Sequence, residues 1–167
     1  MPLVVDGFVQ LVDDGQEVDL TFGTPSSDFR NFLALVPGAY AQNLEGVEAR
    51  GQFVLEGRVQ GRITETRIPG FEIRMEASDA AFRYPGLPKG MDDIQFRAAV
   101  YNTTGLTEDT YLEIPSARFR IDRDEFALNA VVRSLTGNPR VEAALKGTLN
   151  LEHLSQAYPV DLAPGMS

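Results

Sequence analysis

The chain has 167 residues, a formal net charge of -9, no cysteine and one histidine. That length fits one domain, or one segment of a longer array, and is enough to bury a sizeable core. The acidic balance, with Lys and Arg scattered singly, argues against a nucleic-acid partner, whose phosphates need clustered cations; the lack of cysteine excludes disulfides and thiolate metal sites.

Alternation with period two dominates the chain from its start. Met1-Pro2-Leu3-Val4-Val5 is already strand-like, with no signal peptide ahead of it. No run approaches the roughly 20 apolar residues of a membrane-spanning helix. We therefore expect a segment cut from a longer protein, a complete cytoplasmic protein being the other reading. A strand over Val18-Asp19-Leu20-Thr21-Phe22 runs into helical spacing at Phe29, Phe32, Leu33 and Val36. Ser26 or Ser27 is placed to cap that helix, and Pro37 to stop it. A second short helical turn is expected through Ala39-Tyr40-Ala41.

Phe53, Leu55, Val59 and Ile63 then share one strand face. Phe71, Ile73, Met75 and Ala77 form the next, alternating with Glu72, Arg74, Glu76 and Ser78. Near Asp79–Ala81 the phase slips to Ala80, Phe82 and Tyr84, which predicts a β-bulge. Pro85-Gly86-Leu87-Pro88 ends the run. Ile94, Phe96, Ala98 and Val100 follow, broken by Asn102-Thr103-Thr104-Gly105. Leu112 and Ile114 lead past Pro115, a kink or edge feature, to Ala117, Phe119 and Ile121. Asp122-Arg123-Asp124-Glu125 reads as a hairpin turn, from which Phe126, Leu128, Ala130 and Val132 return. After a turn at Thr136-Gly137-Asn138-Pro139, Val141, Ala143, Leu145, Leu149 and Leu151 make the last strand. Leu151, Leu154 and Tyr158 before Pro159 repeat the strand-into-helix pattern of the N-terminal third. With the likeness of Val47-Glu48-Ala49 to Val141-Glu142-Ala143, this hints at internal repetition. Residues 163–167 are expected to be a disordered tail.

No constellation of catalytic residues emerges. His153 is the one histidine and has no Gly-x-Ser-x-Gly elbow to serve, so a surface or helix-end role is expected. One histidine without cysteine cannot build a zinc site. Asp13-Asp14, Asp92-Asp93 and Asp122/Asp124/Glu125 are carboxylate groups better explained by turns than by calcium, which takes six or more oxygens. Gly51, Gly57 and Gly61 fit no phosphate-binding fingerprint; inside strands they permit bending or close backbone approach. Asn102-Thr103-Thr104 matches a glycosylation sequon, and a turn explains the same residues. No catalytic, cofactor-binding or metal-binding residues are assigned. What remains is the apolar face, buried in a two-sheet sandwich or open as a curled single sheet.

Several of these segments resemble the C-terminal region of AsmA-family proteins. The main run goes from Ile68-Pro69-Gly70 through Phe71-Glu72-Ile73-Arg74-Met75 and Ala81 to Met91-Asp92-Asp93-Ile94, and its most specific element is the strand followed by Phe82-Arg83-Tyr84-Pro85-Gly86-Leu87-Pro88. Gly51-Gln52-Phe53-Val54-Leu55-Glu56-Gly57-Arg58-Val59-Gln60-Gly61, Asn102-Thr103-Thr104-Gly105 and Gly147-Thr148-Leu149-Asn150-Leu151 are similar to that region too. The resemblance implies a single AsmA-like β domain over residues 1–162. It implies a periplasmic location within a bacterial protein anchored in the inner membrane, the anchor lying outside this chain. It also implies a part in outer-membrane biogenesis, through kinship with bridge-like proteins whose β-grooves carry phospholipid. The expected fold is mainly β: a long, curved, largely antiparallel sheet, a groove or half-barrel, with one or two short helices. The expected partners are phospholipid or another acyl lipid and neighbouring segments of the same longer chain. Candidate lipid-facing residues are Phe53, Phe71, Ile73, Phe82, Ile94, Phe96, Phe119, Phe126 and Leu128. A closed structural or protein-interaction module is the alternative.

Overall fold

The computed structural model describes residues 2–35 and 42–148. Strands β1 (Val4–Val12), β2 (Gly15–Gly23) and the two-residue β3 (Ser27–Asp28) precede a single-turn helix, α1 (Arg30–Leu33). Then come β4 (Glu48–Ile63), β5 (Gly70–Arg83), β6 (Met91–Asn102), β7 (Tyr111–Ile121), β8 (Asp124–Arg133) and β9 (Arg140–Gly147). All belong to one sheet in the order β1-β2-β4-β5-β6-β7-β8-β9, with β3 added beside β4. Each neighbouring pair is antiparallel. The result is mainly β, as the alternation predicts, and one open, curled sheet in place of a two-sheet sandwich.

Three bulges interrupt the ladder, one in each central strand. Between Arg50↔Ala81 and Gln52↔Ser78, β5 carries one residue more than β4, and Asp79 takes a positive φ of 49°. This is the phase slip read from the sequence. Opposite it, Gly51 has φ 119°, and a Cβ there would run into the backbone of Asp79 and Ala80. On β6, Asp93 (φ 50°) is the extra residue between Asp92↔Arg120 and Gln95↔Arg118. On β7, the extra residue falls at Pro115-Ser116, between Ile114↔Ala130 and Ala117↔Leu128. Pro115 thus sits in a central strand, not at an edge, because the bulge relieves it of donating to the ladder. Bulges increase local twist and bend a strand, and here three adjacent strands each carry one.

Several boundaries differ from the sequence reading. Ser27 lies in β3 and does not cap α1; its hydroxyl is buried without a hydrogen-bond partner. Phe29 occupies the N-cap position with no side-chain cap, and the Asp28 carboxylate accepts the Arg30 N–H at 2.8 Å instead. The β7–β8 loop is only Asp122-Arg123, Asp122 supplying a φ of 56°, while Asp124 and Glu125 begin β8. Tyr84 lies beyond the end of β5 and is exposed. Asp13-Asp14, read as a carboxylate pair, forms the two-residue loop of the β1–β2 hairpin. Val36, Pro37, the turn at Ala39-Tyr40-Ala41, Leu149, Leu151, His153 and the tail 163–167 lie outside the described residues.

Candidate functional site

The register aligns the apolar residues of successive strands into rows. One row crosses all eight strands of the main path: Val5, Phe22, Gly57, Ile73, Val100, Leu112, Val132 and Val141. A second carries Phe53, Ala77, Phe96, Ala117, Leu128 and Leu145. Beyond the bulges, Ala80 meets Ile94 and Phe119 meets Phe126. Because side chains alternate between faces, these rows make one apolar face running from edge to edge. Phe22 lies over Gly57 and Phe126 over Gly147, and a side chain at either glycine would strike the ring. The two glycines therefore seat aromatic rings from the neighbouring strand, the close approach expected of strand glycine.

All nine candidate residues lie on this face. Phe53 and Ile94 belong to its buried core with Phe29, Leu55, Ala77 and Ala80. Ile73, Phe82, Phe96 and Phe119 pack against that core. Phe126 stacks on Phe119, ring centroids 5.4 Å apart. Phe71 and Leu128 are half-buried outside the cluster. Phe22, Phe29 and Phe32 join the face without having been singled out. For Phe22 the signal was available, since it shares parity with Val18 and Leu20.

The core is buried because α1 lies on it. Phe32 sits 5.4 Å from Phe53 and 5.5 Å from Phe96, and Phe29 stacks on Phe32 at 5.4 Å and meets Phe96 edge-on at 6.2 Å. Burying each of these two rings is worth about 1.5–3 kcal/mol. One helical turn is not stable by itself, so this packing and a few bonds at its root hold it. Phe29 donates its N–H to the Gly51 carbonyl at 2.9 Å, and Thr24 is bonded twice to Leu55.

Among the described residues the cover ends there. On the β1 side Val9 and Leu11 are 56% and 79% exposed, and on the β9 side Val141 and Leu145 are 64% and 61% exposed. Such a distribution is unusual for a finished core, since contiguous apolar surface on a soluble monomer is normally limited in extent.

The opposite face is mainly polar, with Val4 and Phe8 of β1 exposed on it. Arg58 pairs with Asp19, Arg74 with Glu72 and Arg97 with Glu76, all exposed and worth little individually. A recess of about 810 Å³ at the β7–β8 hairpin is lined by Arg118, Arg120, Arg123 and Lys146, alternating with Asp93, Asp124 and Glu125. Arg120 bonds Asp93 at 2.8 Å. The signs are mixed there, so no strong field of one sign is set up. Likewise Arg50 lies 3.7 Å from Asp92, and Lys89 3.2 Å from Asp122. The carboxylate groups noted in the sequence are thus dispersed among turns, bulges and cations. Among the described residues no cluster of three or more His, Asp or Glu is placed to hold a metal ion.

Tyr101 and Tyr111 stack on the polar face at 5.1 Å. Burial, and then the nearby Glu72 and Glu113 carboxylates, raise the Tyr101 hydroxyl above its ordinary value of 10.0. A folded pKa above the unfolded one favours the neutral form in the fold. This contribution is full below the unfolded value and is lost as pH rises through the folded one. In absorbance titration against wild type, the phenol lost in a Tyr101→Phe variant should be one that ionises above the ordinary value of 10.0. Loss of an early-ionising tyrosine instead would contradict this placement.

No family model, curated protein or solved structure matches the chain.

Proposed function

We propose that this chain is a periplasmic β-groove segment of an AsmA-like envelope protein, shielding phospholipid acyl chains in transport between the inner and outer membranes. The observation that carries this reading is the apolar face that crosses every long strand of an open sheet and, among the described residues, is roofed only over β4–β6. Acyl chains would meet non-directional contacts along the rows, so selectivity among lipids should be low. Each CH₂ shielded from water is worth about 0.8 kcal/mol. A bilayer already shields it, so moving from membrane to groove is close to neutral, and a carrier of this kind does not trap its cargo. Anchoring would come from a membrane helix elsewhere in a longer chain, and neighbouring segments of that chain would be its protein partners.

Among the described residues the outer edges of β1 and β9 pair with no further strand, which favours a second reading, a non-enzymatic interaction module that pairs by strand addition. Native mass spectrometry of the purified protein, before and after exposure to phospholipid vesicles, separates the two. The groove reading expects adducts at phospholipid mass that organic extraction removes and vesicles restore. Protein that carries no acyl lipid and acquires none would sink it and leave the interaction module.

A further inference from the structure

We infer that α1 is a displaceable plug, occupying the central part of the apolar face that an acyl chain takes when lipid is bound. The inference rests on the groove reading and specifies how that site is controlled. The helix is one turn long and contributes two aromatic rings, Phe29 and Phe32, to a surface otherwise made by the sheet. Both rings touch Phe96, and Phe32 touches Phe53 as well. These floor residues are what a chain threading the middle rows would contact. The roof is thus an internal substitute for ligand, apolar and shape-adapted, lying over the same side chains. It also sits between the exposed β1–β2 and β7–β9 wings of the face.

Its attachment suits release. The root is firm: Thr24 is bonded both ways to Leu55. Beyond it, the two-residue pairing of Ser27 and Asp28 with Phe53 and Gln52 and one main-chain bond, Phe29 to Gly51, join the segment to the sheet, and no side chain caps the helix by hydrogen-bonding from the N-cap position. The segment can therefore lift about its root without breaking any pairing between the long strands. With α1 seated, only the fraction of molecules with the floor uncovered binds, and apparent affinity falls by that fraction.

The chain contains no cysteine, so an engineered pair is unambiguous. Asp28 and Gln52 are directly opposed across β3 and β4, within reach of a disulfide by strand geometry, and both are exposed. The test measures binding of a long-chain fatty acid carrying a pyrene reporter to three proteins: wild type, Asp28→Cys/Gln52→Cys, and Phe29→Ala/Phe32→Ala. The oxidised cysteine variant should bind about tenfold more weakly than the same protein reduced, and the alanine variant about tenfold more tightly than wild type. Should the alanine variant not fold, the oxidised-to-reduced comparison decides alone. Binding equal in the oxidised and reduced forms would overturn the plug and leave the groove standing, with α1 a fixed roof. Absence of binding by every folded form, the reduced one included, would overturn both.

Discussion

Replacing Phe53 by alanine is expected to remove about 3–5 kcal/mol of stability, the range for truncating a buried aromatic side chain. Phe53 is fully buried, at 0% exposure, between the sheet and α1. Its register partner on β5 is Ala77 and on β3 is Ser27, both too small to fill the void. Its neighbours are held by ladders on both sides, so the site can collapse only partly. Domains are commonly stable by only about 5–15 kcal/mol, and this one residue therefore carries a large share. Urea denaturation should show a lower midpoint at unchanged slope. Val9→Ala is the matched control: Val9 lies on the same face, but 56% exposed on the β1 wing, and its truncation should cost under about 0.5 kcal/mol. The contrast separates a face whose centre is core from a face buried throughout. A Phe53→Ala loss below about 1 kcal/mol, or equal losses at the two sites, would show that the centre is not packed as described.

The distinction between centre and wings was only partly legible in the sequence. Period two sufficed to identify the strands and the face, because parity is local and a single slip moves every side chain across. The slip at Asp79–Ala81 was visible for that reason. The bulge at Asp93 was not, since Met91 to Ile94 offers too few alternating positions before it to reveal a change of phase. Pro115 announced itself but was ambiguous, as proline suits either an edge or a bulge. The role of Phe29 and Phe32 was out of reach. Their spacing says helix, whereas the fact that the helix lies across β4 and β6 depends on contacts with residues up to 67 positions away, from Phe29 to Phe96. All nine candidate residues lie on one face, as their parity implies. Parity could not tell Phe53, sealed under α1, from Leu128, half-buried outside the core. Burial is set by what comes to lie on top, and that is a non-local outcome.

Asn102 shows the same limit in a polar residue and carries the second large effect. In the sequence it opens an ordinary turn. In the fold it is 1% exposed, opposite Phe71 at the end of β6, and all its polar capacity is spent on the loop that follows. Its amide nitrogen donates to the Leu106 carbonyl at 2.7 Å and to the Thr110 hydroxyl at 3.0 Å, and its oxygen accepts the Gly105 N–H at 2.8 Å. That loop in turn holds its neighbours. Ile68 donates to the Gly105 carbonyl, Leu135 to the Thr110 carbonyl, and the Thr136 hydroxyl to the Thr107 carbonyl. One side chain thus organises three loops along one rim of the sheet, and its burial leaves no room for a glycan at the sequon. Asn102→Ala leaves several buried groups unpaired at roughly 1–3 kcal/mol each, imperfectly additive, so a loss of about 2–4 kcal/mol is expected. Asn102→Asp supplies a signature that loss of packing does not. It keeps the acceptor for Gly105 but sets a carboxyl group against the Leu106 carbonyl in a buried site, which raises its folded pKa above the unfolded value. The variant should therefore be most stable in acid and lose stability as pH rises through that folded pKa. Urea midpoints for Asn102→Asp, measured against wild type at acid and neutral pH, check this. A deficit that stays constant with pH would mean that the amide is not donating where the geometry places it.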